Sequence, residues 1–426
     1  LIACENFFSN YLNKINYPET NTLDYLEKYH GVEVNDPYRW LEKDVRDSEE
    51  VNQWVISQNK VTFDYLSKIP ERLLIKDRMT ELWDFERYGL PIKKNGRYFY
   101  SYNDGLQNQN VIYYQDGLNE TPQLIIDPND WSTDGTVALA SYFPSPNGSF
   151  VAYLIQDGGS DWRIAKILNI NSGEVLEDHL EWLKFTSLSW AKDNSGFYYS
   201  RYPAITQDEK FQSVNQNMKI YFHKLGTNQE QDKVIFARND KPNWGPRANV
   251  TEDGNHLIIT ISVGTDERFS IAYQDLTDMN SEIVTIIDGF NYDYTFIGNI
   301  DDDLYFRTND GASKNRLILI DAKNPKRENW REIIPETQDV LDGVTLVGGK
   351  IVAEYMQDAW SVVKIFDLNG LYVGNVDLPG IGTASGFNGA TNDPETFFVY
   401  ESFTTPPTIS RLDLSTGNIE LFKKPE

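Results

Sequence analysis

Three features of the 426-residue sequence predict a mainly β fold: a seven-bladed β-propeller of four-stranded antiparallel blades, preceded by a short α-helical segment. The first is a turn unit of Asp, Asn or Gly followed by an apolar run. It recurs seven times between Asn95 and Phe398, at intervals of about 50 residues, the length of one blade. The second is composition: 25 Tyr and 22 Phe against only 4 Met favour pleated, half-buried surfaces. The third is that the clearest helical periodicity lies before the first repeat. A double β-sandwich also uses short strands, but it does not predict seven similar units of this length.

Residues 1–24 read as a polar tether. Cys4 is the only cysteine, so the chain has no internal disulfide and no Cys-based metal site. Leu1-Ile2-Ala3-Cys4 resembles the lipobox of a bacterial lipoprotein signal, where the cysteine is acylated on sulfur. The expectation is a lipid attached at Cys4 and a bacterial cell-envelope location, periplasmic or on the outer membrane. No 18-residue apolar stretch is present, so the lipid would be the only link to a membrane.

Residues 25–82 form the helical segment. Pro37 keeps Asp36 out of the helical region, so Asp36-Pro37-Tyr38-Arg39-Trp40 reads as a strand feeding a turn. A helix follows from Asp47 to Ile69, with Asp47 and Glu50 placed to cap its start. Its apolar face is Val51, Trp54, Val55, Val61, Tyr65, Leu66 and Ile69, close to a 3.6-residue period. Pro70 suits the first turn of a second helix reaching Trp83. Two such faces need a partner surface.

Residues 83–426 form the propeller. The turn units are Asn95-Gly96, Asn147-Gly148, Asp193 to Gly196, Asp253-Gly254, Asp302-Asp303, Gly348-Gly349 and Asn392-Asp393. Tight turns need φ > 0, which selects these residue types. Each is followed by an apolar strand, a further strand such as Arg316 to Asp321, and a short one such as Gln123 to Ile126. The segment before each turn, Phe185 to Trp190 for instance, supplies the remaining strand.

Catalytic machinery is not legible. No Gly-x-Ser-x-Gly elbow occurs; Gly311-Ala312-Ser313-Lys314-Asn315 ends in Asn and falls in a hairpin. His30, His179, His223 and His256 are far apart and lack metal-ligand spacing. Asp301-Asp302-Asp303 reads as a solvated corner. A net charge of −25 argues against nucleic acid, whose phosphates it would repel. The prediction is no catalytic residue, no metal and no cofactor within these residues.

Several segments in order resemble the prolyl oligopeptidase family. They are His30-Gly31 with Asp36-Pro37-Tyr38-Arg39-Trp40-Leu41-Glu42, then Gly159-Ser160-Asp161-Trp162 after Ser145-Pro146-Asn147-Gly148. Lys184-Phe185-Thr186 through Tyr202 follows, and then Gly386-Phe387-Asn388-Gly389 with Glu401 to Pro407. The resemblance implies serine peptidases that cut short proline-containing peptides. In these an α/β-hydrolase domain carries the Ser-Asp-His triad and a seven-bladed propeller caps it. It therefore implies a hydrolase-domain partner for the N-terminal helices, short peptides as substrates, and a chain that is inactive by itself. It also implies that Phe185, Thr265 and Trp244 face the substrate cavity, although the family often has Cys where Thr265 stands, and Gly245-Pro246 breaks the pattern beside Trp244. A stand-alone propeller used as a binding scaffold, and the propeller of a basic-residue-specific oligopeptidase, are the alternative readings.

Overall fold

The computed structural model describes residues 15–206, 214–278 and 280–425. Cys4 and the lipobox lie outside them. The chain divides into two compact units: residues up to Trp83 in one, and 84–204 with 215 onward in the second.

The second unit is a seven-bladed propeller. Blade 1 comprises Ile92–Lys94, Arg97–Asn103, Val111–Gln115 and Gln123–Ile126, with the short strand Arg87–Tyr88 pairing to the far end of Arg97–Asn103. Blades 2 to 7 span 137–183, 188–236, 244–287, 294–334, 340–375 and 383–423, each with four antiparallel strands in sequence order. The predicted turn units all fall between the first and second strands. At Asn95, Gly96, Asn194, Gly254, Gly348 and Gly349 the backbone has the positive φ that such turns require.

Blade packing explains why the strands are apolar on both faces. In His256–Val263, Leu257, Ile259 and Ile261 pack towards blade 3, whereas Ile258 packs towards blade 5. In Lys350–Gln357, Ile351, Ala353 and Tyr355 face blade 5 while Val352 faces blade 7. Period-two alternation thus sends successive side chains into two different hydrophobic clusters. Seven clusters fill the seven junctions. Some fourth strands are exposed over their first residues, as in Gln123–Ile126 and Arg331–Ile334.

No blade mixes strands from the two ends of the propeller sequence. Blades 1 and 7 meet instead through side chains. Tyr98, Phe397 and Ile409 form a small apolar cluster, edged by Tyr88, Leu90 and Phe422. Beside it, buried Glu395 accepts from Lys93 Nζ at 3.0 Å, from the Tyr98 hydroxyl and from Arg411. Lys93 also pairs with Asp393 at 2.9 Å.

In the first unit, Leu26–Tyr29 and Val32–Asn35 form a hairpin turned by His30 and Gly31, both at positive φ. The extended strand expected to feed a turn is Val32–Asn35, which runs into a turn at Pro37 and Tyr38. Arg39–Glu42 is a single 3₁₀ turn, in which Arg39 pairs with Asp36 at 2.9 Å and Glu42 at 2.8 Å. Helix α1 (Glu49–Leu66) starts one turn-residue away from the expected caps: Ser48 is the N-cap, its hydroxyl accepting the Val51 N–H. Val51 is buried, and Trp54 donates to Thr20 Oγ1 at 2.9 Å and meets Trp40 edge-on. Tyr65 and Ile69 from the expected apolar face are exposed. Helix α2 (Arg72–Trp83) buries none of its residues and presents Leu73, Leu74, Ile75, Met79, Leu82 and Trp83.

Candidate functional site

The first strands of all seven blades line two adjoining cavities, of about 550 and 650 Å³. Ile92 to Lys94, Asn249 to Glu252 and Ala390 wall both of them. This is the axial channel of the propeller. Its turn end collects charge: Lys94, Lys192 and Glu252 meet there. Burial pulls the Lys94 ammonium below its usual range; Glu252 opposes that shift and Lys192 adds to it.

The opposite end carries the three residues singled out from sequence. Trp244 opens the first strand of blade 4 and pairs with Val263, which leads through Gly264 to exposed Thr265. Phe185 precedes the first strand of blade 3, which begins only at Leu188. The expected strand start at Phe185 is thus corrected: its φ of 53° takes the chain out of the extended range just before the ladder begins. Arg247, on the Trp244 strand, donates from Nε to the Phe185 carbonyl at 3.0 Å. The blade 3 to blade 4 junction therefore brings Phe185 and the Trp244 strand together through Arg247. Thr265 lies on the adjoining turn. Trp244 itself is half-buried, edge-on to Phe290 and with the Arg238 guanidinium 4.6 Å from its ring.

Sequence reasoning missed the neighbours of Phe185. Lys184 places its ammonium 5.1 Å from the Trp162 ring and 5.2 Å from the Phe185 ring. Trp162 packs edge-on against Trp182 and Tyr202. Trp182 shares the left-handed conformation, at φ 65°. Two non-glycine residues held there cost about 1–3 kcal/mol each, a strain that collects at ligand clamps. Phe185 remains 44% exposed, so its ring is held by strained backbone yet left free to touch a ligand. An aromatic platform with one cation suits an apolar, ring-bearing or proline-like segment better than a charged one.

The prolyl oligopeptidase N-terminal β-propeller domain matches residues 17–425. The chain belongs to the prolyl oligopeptidase family. It is 36% identical to the prolyl endopeptidase of Elizabethkingia meningoseptica over 414 residues, 97% of this chain and 58% of that protein. It is 28% identical to a dual function macrocyclase-peptidase of Amanita bisporigera over 95% of this chain and 59% of that one. A structure from a study of two prolyl endopeptidases superposes with a TM-score of 0.75 at 34% identity, covering 96% of this chain and 59% of the other. Prolyl oligopeptidase B of Galerina marginata, bound to a 35mer hydrolysis and macrocyclization substrate, superposes at 0.83 with 25% identity, covering 96% and 61%. The chain thus spans about three fifths of the length of these prolyl oligopeptidase relatives, and it is their propeller portion.

Proposed function

We propose that this propeller is the substrate-gating part of a serine oligopeptidase that hydrolyses short proline-containing peptides. The observation that carries the reading is the axial channel with an exposed, strained aromatic clamp at one end. The channel selects by size, and the clamp at Phe185, with Trp244 and Thr265 beside it, touches the peptide. The chemistry belongs to an α/β-hydrolase domain. There a Ser attacks the peptide carbonyl, a His takes its proton, and an oxyanion hole supplies much of the rate. The bare apolar face of α2 is the natural seat for that domain, because an exposed patch of this kind marks an interaction surface.

Residues 1–426 alone are then predicted to bind a short proline-containing peptide without cleaving it. Calorimetry should detect the binding, and Phe185→Ala should weaken it by about 2- to 10-fold, the worth of one aromatic contact. Release of chromophore from a proline-containing chromogenic peptide by the purified chain would overturn the assignment. We further propose a lipid on Cys4 and a cell-envelope location. Radiolabelled palmitate should be incorporated by the chain in a bacterial host and lost with Cys4→Ser; equal labelling of both would remove the anchor.

A further inference from the structure

The connection from blade 4 to blade 5, residues 288–293, walls a further cavity of about 220 Å³. It shares no lining residue with the two channel cavities. Three aromatic rings meet in it. Tyr292 stands edge-on to Tyr294 with centroids 6.5 Å apart, and Trp330 stands edge-on to Tyr294 at 6.1 Å. Tyr294 is buried, Trp330 half-buried and Tyr292 exposed, so the rings form a corner that opens to solvent.

The corner is held from behind. Buried Asp310 accepts from the Tyr294 hydroxyl at 2.6 Å and from Arg327 Nη2 at 2.5 Å. Trp330 Nε1 donates to the Pro325 carbonyl at 2.9 Å, which leaves the indole's carbon surface to a ligand. The Arg327 guanidinium lies 5.0 Å from the Trp330 ring and keeps N–H groups beyond the one spent on Asp310. Asp288 and Asn291 line the same pocket, are exposed, and make no side-chain hydrogen bond among the described residues.

These residue types select a ligand. Aromatic walls favour a compact group with an apolar face. Arg327 opposes a cation and Asp288 opposes an anion. A neutral ring remains, one whose polar groups both donate and accept, because Asp288 only accepts, Arg327 only donates and Asn291 does both. A cavity smaller than the ~300–1,000 Å³ of drug-sized sites admits a single ring rather than a chain. A pyranose sugar has this chemistry, with C–H groups on one face and hydroxyls around its edge.

We propose that the pocket between blades 4 and 5 is a carbohydrate site for one neutral pyranose ring, either a free sugar or the end of a glycan. The ring lies against Tyr292 and Trp330, and its hydroxyls bond to Asp288, Asn291 and Arg327. The site stands apart from the channel and does not rest on the gating reading.

Saturation-transfer NMR on the purified chain tests it, with the methyl glycosides of glucose, galactose, mannose and N-acetylglucosamine as probes. At least one should receive saturation and bind with near-millimolar affinity. Tyr292→Ala should weaken that binding about 5- to 10-fold, the worth of one ring contact. It should leave the melting temperature in place, because this ring lies at the surface. Tyr292→Phe should stay close to the wild type, and Asp288→Ala should bind more weakly. A trisaccharide ending in the responding sugar distinguishes the sources: tighter binding than the methyl glycoside assigns the site to a glycan end, and equal binding to a free sugar. No transfer to any of the four probes, or equal affinities in the wild type and Tyr292→Ala, would overturn the site. So would glucuronate or N-acetylproline amide binding as tightly as the best glycoside.

Discussion

His223 carries a positive charge in a place with no access to water. Its Nε2 lies 2.9 Å from Asp178 Oδ1 and its Nδ1 2.8 Å from Asp232 Oδ1, and all three side chains are essentially unexposed. Two carboxylate partners require both ring nitrogens to donate, which only the imidazolium does. Burial alone would lower the pKa, but the hydrogen bonds and charges of Asp178 and Asp232 prevail and raise it to about 9. A folded-state pKa above the unfolded value means the stabilisation is complete below about pH 6.5 and is lost as pH rises to about 9. Urea midpoints should therefore fall between pH 7 and 10, by a few kcal/mol of unfolding free energy. His223→Gln should flatten that slope while destabilising the fold at pH 7. A wild-type slope equal to that of His223→Gln would remove the imidazolium from the account. None of this was legible in the sequence. His223 read as a strand residue without a partner, because Asp178 comes from the neighbouring blade and Asp232 has no motif spacing to it.

At the scale of elements, the sequence was most readable where one local requirement repeats. A positive-φ turn followed by residues buried on both faces marks blades 1 to 6, so the turns at Asn95, Gly254 and Gly348 could be located directly. Starts of elements were harder, because they depend on single backbone conformations. The left-handed Phe185 delays its strand to Leu188, and Ser48 rather than Asp47 caps α1. Phe398 tests the blade description. It is fully buried and stacked on Phe387 with ring centroids 4.9 Å apart, so Phe398→Ala should cost about 3–5 kcal/mol in chemical denaturation. A loss under about 1 kcal/mol would mean that the blade 6 to blade 7 junction is loosely packed. Helix α2 makes the opposite prediction. With no buried residue to lose, Leu74→Lys with Leu82→Lys should shift stability by less than about 0.5 kcal/mol. The same pair should reduce binding of an apolar dye and self-association on a sizing column. A large fall in melting temperature would show instead that this face is already packed.

The ring as a whole closes without a shared strand, and its blade 1 to blade 7 junction sets the buried Glu395 and its partners beside a small apolar cluster. Burial alone would raise the Glu395 pKa, but the bonds from Tyr98, Lys93 and Arg411 overcome that and hold it below the ordinary value of 4.5. A depressed carboxylate stabilises above its unfolded pKa and loses that contribution as pH falls through the folded one. The junction should therefore weaken first in acid, seen as faster hydrogen exchange in Arg97–Asn103 and Glu395–Ser402 before the central blades respond. Glu395→Ala should produce the same pattern at neutral pH, at a cost of about 1–3 kcal/mol for the lost hydrogen bonds to the Tyr98 hydroxyl, Lys93 and Arg411. Uniform exchange around the ring would contradict it. Both this seam and the hydrogen bonds from Thr391 to the Glu252 carboxylate join residues over a hundred positions apart, which is why the architecture could be read from the sequence and its fastenings could not. What the propeller is for is tested most directly by joining this chain to the part of the Elizabethkingia meningoseptica prolyl endopeptidase that it does not cover. Rates would then be compared on a short proline-containing peptide and on the same sequence within a folded domain. The account predicts cleavage of the free peptide and none of the folded substrate; equal cleavage of both would contradict a gating propeller.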